Sequence, residues 1–247
     1  MSEAKKSQRG RLSAGKVLRR AFRPATDLFG GLRRKYYGPI TRVRTTQNLV
    51  ALTFDDGPHP EFTVELLDIL AAFGAKATFF MVGQNAARHP EIVKKVVDRG
   101  HAIGNHSYSH PSFPRLNSKA RLGEIQRCEA AVGQHMAKLF RPPFGAENAL
   151  CHHDALQLGY RIVNWSISVD DWRHHSAEWI ADRLLQQLRP GSIALLHDNV
   201  VDDPATDRRE TLEAVEHVLK AASDRFEFCT LPDLLAAGTP MTSFRTA

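Results

Sequence analysis

Five short polar clusters, each directly after an apolar run, constrain the fold of this chain more than any other feature. Asp55-Asp56-Gly57 follows residues 49–54, and His106-Ser107-Tyr108-Ser109-His110 follows 101–105. Arg141-Pro142-Pro143-Phe144-Gly145 follows Leu139-Phe140, Asp170-Asp171-Trp172 follows 161–168, and His197-Asp198 follows 193–196. Strand-like runs that each end in a chemically versatile side chain are what a parallel α/β barrel produces when every strand delivers one residue to a shared mouth. The pattern predicts an enzyme.

From about residue 48 onward, short β-prone runs alternate with helical patterns and no fixed-period repeat intervenes, which is the α/β signature. Strands are expected at 49–54, 76–82, 101–104, 139–140, 160–167, 192–196 and 226–229. Helices are expected at 61–73, 90–98, 118–136, 147–158, 177–188 and 206–222, with a closing turn at 232–237. Pro90 suits a first helical turn, Asn117-Ser118 a helix cap and Gly159 a helix stop. The 247 residues are enough for one such core. The expected fold is α/β: a distorted (β/α)7-type barrel over residues 46–240, preceded by a basic arm over 1–45.

The formal charge of +6 is unevenly spread. Residues 1–48 carry 13 Lys/Arg against Glu3 and Asp27, a net +11, so the rest of the chain is −5. The basicity belongs to the arm and not to the barrel. Val17, Leu18, Phe22, Leu28 and Phe29 among those cations suggest contact with an anionic membrane surface. A solvated basic leader or a transit peptide fits the same residues, because Pro24 and Gly30-Gly31 interrupt a long helix. Without aromatic interleaving, no nucleic-acid partner is expected. No run approaches the roughly 18 apolar residues of a membrane span, and no secretory apolar stretch follows the charges. Cys128, Cys151 and Cys229 are odd in number and far apart, which favours a reducing compartment over a disulfide framework. The expected location is cytoplasmic, with peripheral membrane attachment through the arm as an option.

His106 and His110 stand four apart, a spacing that on a helical turn projects both imidazoles from one face toward one metal ion. A carboxylate from another strand end completes a three-ligand site with open positions, and Asp55-Asp56 supplies two candidates at a turn set by Gly57-Pro58. Taken alone, Asp-Asp-Gly-Pro is equally good as a solvated turn or helix cap. Arg141 alone reads as a surface ion pair, Trp172 as a core aromatic, and His197 as a satisfied core histidine. His59, His101, His152, His153, His174 and His175 lack any comparable partner pattern, and surface or packing roles are expected of them.

In their order, Thr53-Phe54-Asp55-Asp56-Gly57, His106-Ser107-x-x-His110, Arg141-Pro142-Pro143-Phe144-Gly145, Asp171-Trp172 and Leu195-Leu196-His197 resemble the five motifs of the NodB-homology polysaccharide deacetylases, carbohydrate esterase family four. The resemblance covers about residues 48–236. It implies that Asp55 is the general base, that Asp56, His106 and His110 hold a divalent metal, commonly zinc, and that Arg141 orients the base. It further implies a Phe144 backbone N–H in the oxyanion hole, Asp171 paired with His197 as general acid, and Trp172 and Leu195 as apolar walls around the acetyl methyl. The implied reaction is N-deacetylation of an N-acetylated carbohydrate such as a chitooligosaccharide or another N-acetylglucosamine (GlcNAc) glycan.

One position departs from the pattern. The family often has an aspartate three residues before the Asp-Trp pair, where this chain has Ser168, and Asp170 is an extra acid. Asp171 is the expected partner of His197 because it directly precedes Trp172, with Asp170 as the open alternative. Two other functions compete: a deformylase or deacylase of a lipid-linked sugar, which a membrane-bound arm would suit, and a non-catalytic carbohydrate-binding protein on the same fold. Retention of every ligand, the base and the acid argues against the second.

Overall fold

Apolar runs such as those at 49–54 and 77–82 suit strands covered on both faces, and the computed structural model has them so. It describes residues 38–201, 203 and 205–242; the first 37 residues, and the membrane contact expected of them, lie outside the described residues. In chain order the strands are β1 (Ile40–Arg44), β2 (Leu49–Asp55), β3 (Ala77–Met81), β4 (Ala102–Asn105), β5 (Met136–Phe140), β6 (Arg161–Ile162), β7 (Ile167–Ser168), β8 (Ile193–His197), β9 (Glu227–Phe228) and β10 (Thr239–Thr242). The helices are α1 (Phe62–Ala72), α2 (Gly83–Arg88), α3 (Pro90–Asp98), α4 (Ser118–Val132), α5 (Ala149–Gln157), α6 (Ala177–Gln187), α7 (Arg209–Ala222) and α8 (Leu231–Ala236).

Seven parallel strands form one curled sheet in the order β6-β5-β4-β3-β2-β8-β7, and β9 adds to the start of β2. The strand alternation sorts side chains into two cores. Val50, Leu52 and Phe54 of β2, Phe79 of β3 and Leu196 of β8 face the helices. Leu49 and Ala51 of β2, Phe80 of β3, and Ile193 and Leu195 of β8 fill the barrel axis with Val163 and Trp165. By the same parity Thr53 and Asp55 continue the inward row to its upper end. Registers align Asp55 with Phe80 and with His197, and Asn105 with Phe140, so the carboxyl ends of the strands finish at one level.

The barrel is open, and β1 lies across its seam. The run expected as one strand at 160–167 is two short strands on opposite edges of the sheet, β6 beside β5 and β7 beside β8. Ile40 bridges Val163 on one side and Arg42 bridges Ser192 on the other. Residues 40–44, assigned from sequence to the arm, are therefore a strand, paired antiparallel with β10. A register shift between Ile40 and Arg42 breaks the alternation, so that Ile40 and Val43 are the buried residues and no period of two is visible. Gly191 has φ 81°, and a Cβ there would lie 1.7 Å from the Val43 carbonyl, so this crossing requires glycine. Helix α4 stops at Val132; of the residues expected to extend it to 136, Gly133–His135 form a 3-10 turn and Met136 already begins β5. Caps follow the expected chemistry: Asn117 accepts from the Ala120 N–H, and Asn148 from Leu150 and Cys151.

Candidate active site

The strand ends surround a cavity of about 580 Å³ lined by Asp55, Asp56, His106, His110, Phe144, Trp165, Ser168, Asp170, Trp172, Leu195 and His197, among others. Among the described residues five non-glycine residues have left-handed backbone, and all lie in the strand-end clusters: Asp56 (φ 75°), Ser107 (67°), His110 (59°), Phe144 (61°) and Asp170 (53°). Such residues persist only where their surroundings impose the conformation, and they concentrate at functional sites. Here they solve a geometric problem. Asp55 ends β2 facing the axis, so an extended Asp56 would face the helices; the left-handed turn brings it back to the mouth beside Asp55.

Several groups hold that turn. The Asp56 carbonyl accepts from Asn85 Nδ2 at 2.9 Å and from Asn199 Nδ2 at 3.3 Å. The buried Asp198 carboxylate, bonded by the Thr63 hydroxyl, fills the space under Gly57, where a Cβ would come within 2.4 Å of it. Burial pushes Asp198 up to about 7 against the pull of that hydroxyl bond.

His106 and His110 do not share a helical face as their spacing suggested. They stand on a non-helical turn in which Ser107 and His110 are left-handed. The turn is tied down by Glu124 Oε2, which accepts from the Tyr108 and Ser109 N–H groups, and by Asn105 Oδ1, which accepts from Ser107 N–H. His106 Nδ1 lies 2.7 Å from the Arg141 carbonyl, and because a carbonyl can only accept, Nδ1 carries a proton and Nε2 is the nitrogen left to ligate a metal. Asp56 Oδ1 lies 3.4 Å from His106 Nε2 and 3.3 Å from His110 Nε2, is buried, and makes no hydrogen bond among the described residues. A buried, unsatisfied carboxylate oxygen facing two imidazoles, one of them fixed in tautomer from behind, is the donor set of an open divalent-cation site. The three residues form the only such cluster among the described residues. Burial raises the Asp56 carboxyl, but the imidazoles of His106, His197 and His110 bring it down to about 2, so it is ionised as a ligand must be.

Asp55 is buried beside this cluster, with Oδ2 at 3.8 Å from His106 Nε2. Its Oδ1 accepts from Arg141 Nη1 at 2.6 Å. The fully buried Arg141 guanidinium also donates to Thr53 Oγ1 (2.8 Å) and to the carbonyls of Val163 (3.2 Å) and Asn164 (3.1 Å), and it lies 4.1 Å over the Phe80 ring. Arginine suits this place because one planar fork meets four acceptors around a barrel axis.

Across the cavity, His197 Nδ1 is 2.9 Å from Asp171 Oδ1, and Asp171 Oδ2 accepts the His197 backbone N–H, also at 2.9 Å. The open choice is thereby decided: Asp171 pairs with His197, while Asp170, left-handed, lines the cavity. Burial lowers His197, but Asp171 outweighs it and pushes the imidazole up to about 9. Burial raises Asp171, and His197 and Arg208 hold it below the usual carboxylate range. Phe144 meets His110 edge-on at 4.6 Å and Trp172 meets His197 edge-on at 5.4 Å. Both aromatics are exposed, at 63% and 40%, while Leu195 is buried at the cavity wall.

The polysaccharide deacetylase family profile matches residues 42–163. A peptidoglycan-N-acetylglucosamine deacetylase of Bacillus cereus is 37% identical over 191 residues, 75% of this chain and 67% of that protein. A chitooligosaccharide deacetylase of Azorhizobium caulinodans is 36% identical over 198 residues, 76% of this chain and 94% of that protein. The chain belongs to the polysaccharide deacetylase family. A crystal structure of a peptidoglycan N-acetylglucosamine deacetylase with a bound N-oxidanyl-benzamide superposes on this deacetylase fold with a TM-score of 0.77 at 32% identity, over 86% of this chain and 98% of that one.

The deacetylase site contains residues that the sequence did not single out. Asn85 and Asn199 support Asp56, and Arg208 and Thr211 support Asp171. None carries a local signal, since each acts on a partner far away in sequence. The remaining histidines are structural where they are buried. His101 Nδ1 accepts from Ala77 N–H at 3.1 Å, and its burial lowers it to about 4; His152 pairs with Glu147.

Proposed function

We propose that this chain is a zinc-dependent hydrolase that removes N-acetyl groups from a GlcNAc-containing glycan, the substrate class in the names of its relatives. What carries the reading is one cavity holding a carboxylate and two imidazoles placed to ligate one metal ion, a second carboxylate bonded by a buried arginine, and an imidazole whose pKa a buried aspartate raises. Zinc is the favoured cation because two imidazoles and one carboxylate with open positions match its chemistry. When bound by Asp56, His106 and His110 it supplies Lewis acidity and lowers the pKa of bound water toward about 7.

The residues do the rest. Asp55, oriented by Arg141, takes a proton from the water whose oxygen attacks the acetyl carbon. The carbonyl oxygen gains negative charge, which the Phe144 N–H helps to stabilise. The C–N bond breaks as His197 gives its proton to the departing nitrogen, since an amine leaves poorly without one. Acetate and a free amino sugar result. Phe144 and Trp172, exposed on either side of the site, offer flat apolar faces to a sugar, and Leu195 bounds the acetyl methyl.

The test is acetate release from a panel of N-acetylated glycans by protein loaded with zinc, with elemental analysis giving one metal per chain. Absence of acetate from every member sinks the proposal. A second expectation concerns pH. A proton donor raised to about 9 is fully protonated at neutral pH and loses activity as pH rises through that value. Asp56 and Asp55 also raise His197, and a bound cation offsets their charge, so 9 is an upper bound for the metal-loaded enzyme. Above the turning point, kcat/KM should fall about tenfold per pH unit. Asp171→Asn should move the fall to lower pH; an alkaline limb that stays in place in this variant excludes His197 as the donor.

A further inference from the structure

Behind the Asp171–His197 pair lies a buried arginine that the reaction as described does not use. Arg208, 3% exposed at the start of α7, donates from Nη2 to the Asp171 carbonyl at 2.7 Å and to Asp171 Oδ2 at 3.0 Å. The same nitrogen bonds the Thr211 hydroxyl, whose oxygen is 3.3 Å from Asp171 Oδ2. Oδ2 therefore receives the His197 backbone N–H, Arg208 and Thr211, while Oδ1 receives only His197 Nδ1. Turning this carboxylate would break three bonds on one oxygen, so Oδ1 stays aimed at the imidazole.

Stability alone is a poor reason to bury this arginine. Its Nε finds no acceptor among the described residues, and a buried cation with an unsatisfied donor costs free energy unless something else needs it there. The proton donation provides that need. While His197 is protonated, Asp171 is compensated by the imidazolium. Once the proton has left, a buried Asp171 facing a neutral imidazole would be an uncompensated charge, and the pair would resist giving the proton up. A permanent cation on the far oxygen keeps the carboxylate compensated in both states.

We propose that Arg208 is a positioning residue for deacetylation, clamping Asp171 through its side chain and its own carbonyl so that His197 is held in its donating orientation and can release its proton. The inference rests on the deacetylase reading. Arg208→Met fills the space without charge or donors, and Arg208→Lys keeps both. With acetate release as the readout, Arg208→Met should lower kcat about 10- to 100-fold with KM within about twofold. Arg208→Lys should restore kcat to within about fivefold of the parent.

A Met variant within about threefold of the parent overturns the proposal, and so does a folded Lys variant as slow as Met. Should Arg208→Met not fold, Thr211→Val removes the other side-chain donor and is read in the same way; an unchanged kcat overturns the clamp. A readout free of turnover separates this inference from the deacetylase reading. The His197 Nδ1–H proton should give a sharp downfield NMR resonance in the parent, be broadened in Arg208→Met and return in Arg208→Lys. If the parent releases no acetate, the deacetylase reading fails and the resonance alone decides whether Arg208 holds the pair; an identical resonance in parent and Arg208→Met overturns it.

Discussion

Asp55→Asn is expected to slow acetate release by about 10²–10⁴-fold while leaving the metal site able to load. The amide matches the carboxylate in shape and can still accept the Arg141 Nη1 bond, which is 2.6 Å in the parent. It has no basic oxygen with which to take a proton from water. Asp56, His106 and His110 are untouched, so metal content by elemental analysis should stay at the parental level, and the loss should appear in kcat. Turnover within about tenfold of the parent, with metal retained, would show that Asp55 is not the base.

Arg141→Met should destabilise the protein by about 3–5 kcal/mol, because it leaves the buried Asp55 carboxylate without its cation. At this chain length that corresponds to a fall in Tm of about 6–20 °C. The carbonyls of Val163 and Asn164 and the Thr53 hydroxyl lose a donor together, and methionine restores only volume. Thermal unfolding of the two proteins at neutral pH measures the effect. A Tm within about 2 °C of the parent would mean that the barrel axis tolerates the unpaired charge. Any folded fraction should be slow as well, because Asp55 would lose the hydrogen bond that orients it.

The two variants probe one buried pair from opposite ends, and the unequal outcomes follow from chemistry. Asp55→Asn leaves an arginine with three other acceptors, whereas Arg141→Met leaves a carboxylate with no other Lys or Arg paired to it among the described residues. The first is chiefly a catalytic lesion and the second chiefly a structural one.

Much of this was legible in the sequence, and the reason is local. A strand covered on both faces must be apolar almost throughout, and a polar cluster at its end must reach solvent or a site, so 49–55 and 193–198 show strand, direction and chemistry together. Asp55, Asp56, His106, His110, Arg141, Asp171 and His197 were picked out by the resemblance of five ordered motifs to the polysaccharide deacetylases, for which no distance is needed. Short strands were harder. β1 hid behind arginines and a bulge, and 160–167 read as one strand because nothing within it marks where the chain leaves one edge of the sheet for the other.

What only the tertiary structure decided is how those side chains converge. The left-handed backbone that turns Asp56 to the mouth is held by partners far along the chain. The Asp56 carbonyl is held by Asn85 and by Asn199, 29 and 143 residues away, and Asp171 is held by Arg208, 37 residues away. No window of sequence contains both ends of such bonds. The sequence determined which groups the chain brings to the mouth of the barrel; the closed network of buried donors and acceptors decided which aspartate meets His197, which carboxylate oxygen faces the metal ligands, and why each one stays there.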